Sequence, residues 1–369
     1  MDFFSIHSAT LRAMTSPPYP TEKLTLVSPP PVKPGDRVAM LSPSWAGPAV
    51  YPDVHDVGLQ VIREEFLLET VEYPTTRRLD ASAKDRARDL MDAFSDDSIA
   101  AVMTSIGGDD QLTVLPHLDR DVFVAHPKRF FGFSDNTNSL NYLWNLGIVS
   151  YHGSSTMIHL ARAGGVHPIS MESLRSALFT NDTVELKPVD GFTDLTPEWS
   201  NLSTLDSLIP TTNESGWHWH NADHVVTGPT WGGNLEILHW NLAANRWILP
   251  VDAYSGCVLL LETSEEMPPS EEVFRMLRNF GERGLLQQFL AVVVAKPKAW
   301  SHERMNAAAA REAFRNDQRD AVLQAVDAYN PTALVVIGPD FGHTDPQYVI
   351  PYGGQMTVDG PARCVTMTY

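Results

Sequence analysis

Short apolar segments alternate with amphipathic ones through the first 180 residues, and that alternation restricts the fold more than any other feature. Arg37-Val38-Ala39-Met40-Leu41 reads as a strand, Val57 to Phe66 as an amphipathic helix, and Val71-Glu72-Tyr73 as a second strand. Ala81 to Phe94, rich in Ala, Arg, Asp and Leu, reads as a helix and Ile99 to Thr104 as a third strand. Strands joined through helices imply a parallel sheet with right-handed crossovers. In such a sheet the ligand crevice lies beyond the carboxyl ends of the strands. The residues that directly follow each strand are therefore the first places to look for chemistry.

Two of these places stand out. Ser105-Ile106-Gly107-Gly108-Asp109-Asp110 follows the third strand, and paired glycines let a backbone N–H come close to a substrate carbonyl. No complete phosphate-loop or dinucleotide pattern is present. The second place is Arg129-Phe130-Phe131-Gly132-Phe133-Ser134-Asp135-Asn136-Thr137, where an apolar strand runs into a lone hydroxyl. Leu140, Leu143, Trp144 and Leu146 then recur at helical spacing, with Asp135, Asn136 and Thr137 expected as caps. Strand, serine, helix is the order of a nucleophile elbow, although the second glycine of G-x-S-x-G is missing.

Farther on, Ile148-Val149-Ser150-Tyr151 is a strand leading to His152-Gly153-Ser154, and a helix over about 170–179 closes the first domain. Periodicity is poor from 183 to about 226. That stretch holds Trp217-His218-Trp219-His220, aromatic enough to stack on a planar ligand, with His218 and His220 on one side of a strand as a possible metal pair. The second domain, from about 227, carries Trp231-Gly232-Gly233-Asn234 before a helix. The strand Gly256 to Leu261 ends at Glu262, a helix covers Ser270 to Phe280, and a strand runs from Phe289 to Ala295. An Ala-rich helix over Asn306 to Ala328 precedes the strand Ala333 to Gly338, which leads to Asp340-Phe341-Gly342-His343; the C-terminus closes with β segments.

A chain of 369 residues has room for two domains, and a formal charge of −18 argues against nucleic acid or an anionic membrane as the main partner. Cys257 and Cys364 have no metal-type spacing and lie in apolar runs, so buried inert thiols are expected. Residues 1–34, with Pro17, Pro18, Pro20 and Pro29-Pro30-Pro31, read as an extended or mobile arm. There is no basic-then-apolar leader and no run of 18 apolar residues, so a cytoplasmic protein is expected.

Ser134, Glu262 and His343 all stand at strand ends and together supply a nucleophile, a carboxylate and a base, the set required for acyl transfer through a covalent ester. Gly107-Gly108, Gly132-Phe133-Ser134-Asp135, Trp231-Gly232-Gly233-Asn234-Leu235, Leu261-Glu262 and Asp340-Phe341-Gly342-His343 occur in the order of the LD-carboxypeptidase serine peptidases, and the chain resembles that family from about Lys33 to its end. The resemblance implies a flavodoxin-like parallel-sheet α/β domain over 35–182, a connecting segment over 183–226, and a smaller β-rich domain over 227–369. The active site is expected between the two domains, and the assembly is expected to be a homodimer. It further implies Ser134 as nucleophile, His343 as general base, Glu262 as its orienter, and the amides of Gly108 and Asp135 as the oxyanion hole. No metal or cofactor is implied.

The glycine motif departs from the Arg-Gly-Gly-Tyr-Gly of the murein enzymes and is similar to that of the microcin C immunity branch, which cleaves the bond joining an acidic aminoacyl group to a nucleotide phosphoramidate. Gly107, Trp217, Trp219, Trp231 and Asn234 are then the expected substrate-binding residues, with Trp217 and Trp219 as the alternative candidates for stacking on the base. A small-molecule peptide or peptidyl-nucleotide substrate is expected, and toxin resistance as the role. The alternatives are a murein tetrapeptide LD-carboxypeptidase of cell-wall recycling, a non-catalytic small-molecule binding protein with Gly107-Gly108 as an anion site, and a metallohydrolase using His218 and His220.

Overall fold

The structure, a computed structural model, describes residues 24–213 and 216–369. In the first half, β1 (Arg37–Leu41), β2 (Glu69–Glu72), β3 (Ile99–Thr104), β4 (Arg129–Gly132) and β5 (Ser150–His152) alternate with α1 (Gly47–Val50), α2 (Pro52–Glu65), α3 (Ala83–Ser95), α4 (Arg120–Ala125) and α5 (Thr137–Asn145); α6 (Pro168–Phe179) follows. The strands pair in parallel in the order β2-β1-β3-β4-β5. The order reverses between β1 and β3, which opens a crevice where the loops after these two strands part. β3 and β4 are almost wholly buried, because helices cover both faces of the sheet.

The second half is built on an eight-stranded sheet. Its strands are β6 (Thr183–Leu186), β9 (His218–His220), β10 (Val225–Asn234), β11 (Val258–Glu262), β12 (Ala291–Val294), β13 (Leu334–Ile337), β15 (Gln355–Asp359) and β16 (Cys364–Thr368). β10 to β13 run parallel, with Asn234 opposite Glu262, while β15, β16 and β6 extend one edge antiparallel and β9 caps the other. Two strands of the poorly periodic stretch 183–226, β6 and β9, thus belong to this sheet; β7 (Gly191–Phe192) and β8 (Thr212–Asn213) form a small ribbon of their own. α7 (Leu235–Ala243), α8 (Ser270–Glu282) and α9 (Ala308–Tyr329) pack beside the sheet, and α8 is amphipathic, with Val273, Met276, Leu277 and Phe280 buried.

One strand crosses over. β14 (Ile350–Tyr352) leaves the second half and pairs antiparallel with β5, completing a six-stranded first sheet. Residues 1–23 of the expected arm lie outside the described residues, as do Glu214 and Ser215 of the aromatic stretch. Residues 24–34 do not form a free arm. Val27 N donates to Gly147 O at 2.8 Å, and the buried Arg129 guanidinium donates to the carbonyls of Pro29 and Pro30.

Candidate active site

At the end of β4 the chain turns sharply. Phe133 is extended, Ser134 has φ +60°, and a short 3-10 turn over Ser134–Asn136 leads into α5. A β-carbon on Gly132 would lie 2.8 Å from Asn136 Cβ and 2.9 Å from Thr104 Oγ1, so only glycine lets the chain fold back this tightly. A serine in the left-handed region carries about 1–2 kcal/mol of strain, which is characteristic of an exposed nucleophile on an elbow. The expected caps do not form: Asn136 at the N-cap makes no capping bond and is buried with Asp135, and Gln111 Oε1 accepts from Ser139 N of α5 at 2.9 Å instead.

Asp135 acts as a brace. Its carboxylate accepts from Ser44 Oγ in the loop after β1, from Gln111 N at 2.9 Å beyond the glycine loop, and from Asn138 Nδ2 at 2.8 Å. Burial pushes its pKa up to about 6 against these donors. Arg86 ties the same two loops, donating to Ser44 O at 2.9 Å and pairing with Asp110 at 2.8 Å. The glycine loop is thereby pressed onto the elbow. A β-carbon on Gly107 would stand 2.9 Å from Ser134 Oγ, and one on Gly108, at φ +155°, would stand 2.2 Å from Ser44 Oγ.

The other groups arrive from the second sheet. Glu262 is the last residue of β11 and is buried; His343 lies beyond β13. Gly342 allows the approach, since a β-carbon there would lie 3.0 Å from Glu262 Cβ. His343 Nδ1 is 2.5 Å from Glu262 Oε2, and its Nε2 is 3.1 Å from Glu265 Oε2. Burial disfavours the charged ring, but the two carboxylates prevail and push His343 up to about 10. The ring of Phe133, the residue before Ser134, lies 5.0 Å from the His343 ring, so the elbow and the imidazole share one wall. Behind them His152 and His159 are driven down by burial, to about 4 and about 3.

Ser134, Gly107, Gly108 and His343 line one cavity of about 560 Å³. Its aromatic side is Trp45, Tyr51 and Trp199, joined edge to face with ring centroids 6.4 Å and 5.5 Å apart. The expected tryptophans are elsewhere. Trp217 and Trp219 lie next to and in β9, half-buried against the second core, with Arg363 over the Trp219 ring. Trp231 is a core residue stacked on Phe289, with its Nε1 donating to Asn141 Oδ1 at 3.0 Å. Asn234 caps α7 by accepting from Ile237 N at 3.0 Å. The connecting segment does reach this cavity, through Trp199, in a loop whose Asp194 anchors it to Arg315 and Arg311 of α9. Trp45 and Tyr51, after β1, gave no periodic signal, and only their position past a strand end pointed to them.

His220 Nε2 faces Asp327 Oδ1 at 3.0 Å, and among the described residues no group of three or more His, Cys, Asp or Glu is placed to hold a metal ion. Cys257 is buried as expected, whereas Cys364 is only half-buried. Among the described residues no helix is long and apolar enough to cross a membrane.

Comparison with known proteins shows the family. The LD-carboxypeptidase N-terminal domain matches residues 38–153 and the LD-carboxypeptidase C-terminal domain residues 227–358. A Vibrio cholerae protein named as a carboxypeptidase is 24% identical over 335 residues, covering 88% of this chain and 92% of its own length. The microcin C7 self-immunity protein MccF of Escherichia coli is 24% identical over 298 residues, 77% of this chain and 78% of its own length. In fold, MccF in complex with glutamyl sulfamoyl guanosine superposes with a TM-score of 0.78 at 19% identity, covering 94% of this chain and 99% of that one. The MccF-like protein of Streptococcus pneumoniae in complex with AMP gives 0.79 at 24% identity, covering 91% and 99%. With both domain models matched in order over most of its length, this chain belongs to the LD-carboxypeptidase family and is a serine peptidase.

Proposed function

We propose that Ser134, His343 and Glu262 form the catalytic triad of an amidase that cleaves an aminoacyl nucleotide and so confers resistance to a toxin of that kind. His343 takes the Ser134 proton at Nε2 as the serine oxygen attacks the scissile carbonyl. Glu262 holds the ring by accepting from Nδ1–H and stabilises the imidazolium that forms. The amides of Gly108 and Asp135 hold the oxyanion, the amine leaves with the proton from His343, and water releases the acyl group from Ser134.

The single observation that favours a nucleotide is the aromatic side of the cavity. Trp45, Tyr51 and Trp199 face the same space as Ser134 and offer a nucleobase a stacking surface, which contributes about 1–3 kcal/mol per base. The solved relatives that hold a guanosine compound and AMP support the same reading. The test is mass spectrometry of products after incubation with aminoacyl-sulfamoyl adenosines and, in parallel, a murein tetrapeptide, with Ser134→Ala as control. Cleavage of the adenosine compounds by the wild type alone is expected. Release of D-alanine alone would replace this reading with cell-wall recycling. Light scattering of the purified chain checks the homodimer.

A further inference from the structure

The proposed triad needs His343 Nε2 free to accept the Ser134 proton, yet another group faces that nitrogen. Glu265 Oε2 stands 3.1 Å from it, on the side opposite the 2.5 Å contact between Nδ1 and Glu262. The two carboxylates favour the charged ring against the cost of burial, with the buried His152 and His159 and the Lys298 ammonium as its cationic or neutral neighbours. An imidazolium is not a base. With Glu265 at Nε2 the ring cannot take the serine proton, so Glu265 has to leave Nε2 before chemistry begins.

Glu265 is free to leave. It lies in the loop between β11 and α8, with its side chain 58% exposed. Around it the cavity wall is acidic, with Glu266, Asp109 and Glu198. Lys298 also lines the cavity, but its ammonium is held at the Asp194 carbonyl at 2.7 Å and near the His343 carbonyl at 3.4 Å. A carboxylate on the acyl part of a substrate would meet like charge here; an ammonium would meet a ready partner.

We propose that Glu265 sets specificity and positions the base: a positive group on the acyl part of the substrate draws its carboxylate away from His343 Nε2, so the site selects cationic aminoacyl groups and becomes competent when one is bound. This rests on the serine-hydrolase reading above. It also separates this chain from the relative that holds a glutamyl compound.

The test is kcat/KM for lysyl-sulfamoyl adenosine and aspartyl-sulfamoyl adenosine across pH, with the wild type and Glu265→Gln. The wild type should prefer the lysyl compound by about tenfold or more. Glu265→Gln, close in shape, should bring the two within about threefold and move the acid limb of the pH profile down by about one unit, because one of the two carboxylates that hold the proton on His343 is gone. Glu265→Asp, which keeps the charge, should retain a lysyl preference. A wild type that treats both compounds alike or prefers the aspartyl one overturns the proposal, as does a Glu265→Gln protein with ratio and acid limb unchanged. If the wild type cleaves neither, calorimetry with Ser134→Ala separates the two ideas. Tighter binding of the lysyl compound would support selection by charge and sink the hydrolysis of these substrates; equal or absent binding would sink both.

Discussion

Gly107 and Ser134 approach so closely that the β-carbon glycine lacks would sit 2.9 Å from the serine hydroxyl and 3.4 Å from Asp135 N. A methyl group there invades the space of both the nucleophile and a proposed oxyanion donor. Gly107→Ala should lower kcat by about 100-fold or more, in the range seen when one oxyanion donor is lost. Steady-state kinetics beside a melting curve checks this, and a variant that melts normally and keeps its kcat would show that the loop is a turn and nothing more.

The left-handed backbone at Ser134 separates activity from stability. Ser134→Ala should abolish turnover by several orders of magnitude while keeping the fold. Ser134→Gly should be equally inactive and more stable than Ser134→Ala by about 1 kcal/mol, because glycine adopts φ +60° without strain. Denaturant titrations of the two variants compare them directly; an alanine variant that is the more stable would show that the elbow is unstrained.

The His343–Glu262 pair makes stability depend on pH. A histidine raised from its usual value to about 10 stabilises the folded chain fully below the ordinary histidine range, and that contribution fades as pH rises through about 10. The wild type should therefore lose melting temperature between neutral pH and pH 10, and Glu262→Gln should flatten that loss. In kinetics Glu262→Gln should lower kcat, more mildly than His343→Ala. Parallel slopes for wild type and Glu262→Gln would show that the pair does not hold the proton.

Trp199 and Trp217 should respond in opposite ways. Trp199→Ala removes part of the cavity wall and should raise KM for aminoacyl-sulfamoyl adenosines about tenfold or more, with a small effect on melting. Trp217→Ala opens the edge of the second core and should lower stability by about 2 kcal/mol while leaving KM unchanged. Isothermal binding and thermal melts of both variants settle the assignment, and a KM shift confined to Trp217→Ala would reverse it.

The residues proposed for chemistry were legible because they sit at or after the end of a strand whose apolar run is visible in the chain, as Ile99 to Thr104 precedes Gly107 and Leu259 to Leu261 precede Glu262. The tryptophans were not, because aromatic character does not say which way a loop folds. Trp217 and Trp219 read like Trp199 in sequence, and only the pairing of β9 with β13 sends them to a sheet edge. Glu265 was hidden for a related reason. A glutamate three residues past a strand looks like solvent-facing polarity, and its reach to His343 Nε2 depends on two loops from distant parts of the chain meeting. Residues 24–34 show the limit of composition, since prolines say extended, but the partners at Arg129 and Gly147 lie about a hundred residues away.

The strand Ile350–Tyr352 is the last piece of the sheet that carries Ser134, and the C-terminal Tyr369 hydroxyl donates to the Val349 carbonyl and bonds Ser173. The sheet that carries Ser134 is thus finished by a strand from far along the chain. A chain stopped before residue 350 is an open sheet with β5 as a bare edge, a template for aggregation. The two halves are therefore one folding unit: the sheet under Ser134 has no closed edge until Ile350–Tyr352 is laid against β5.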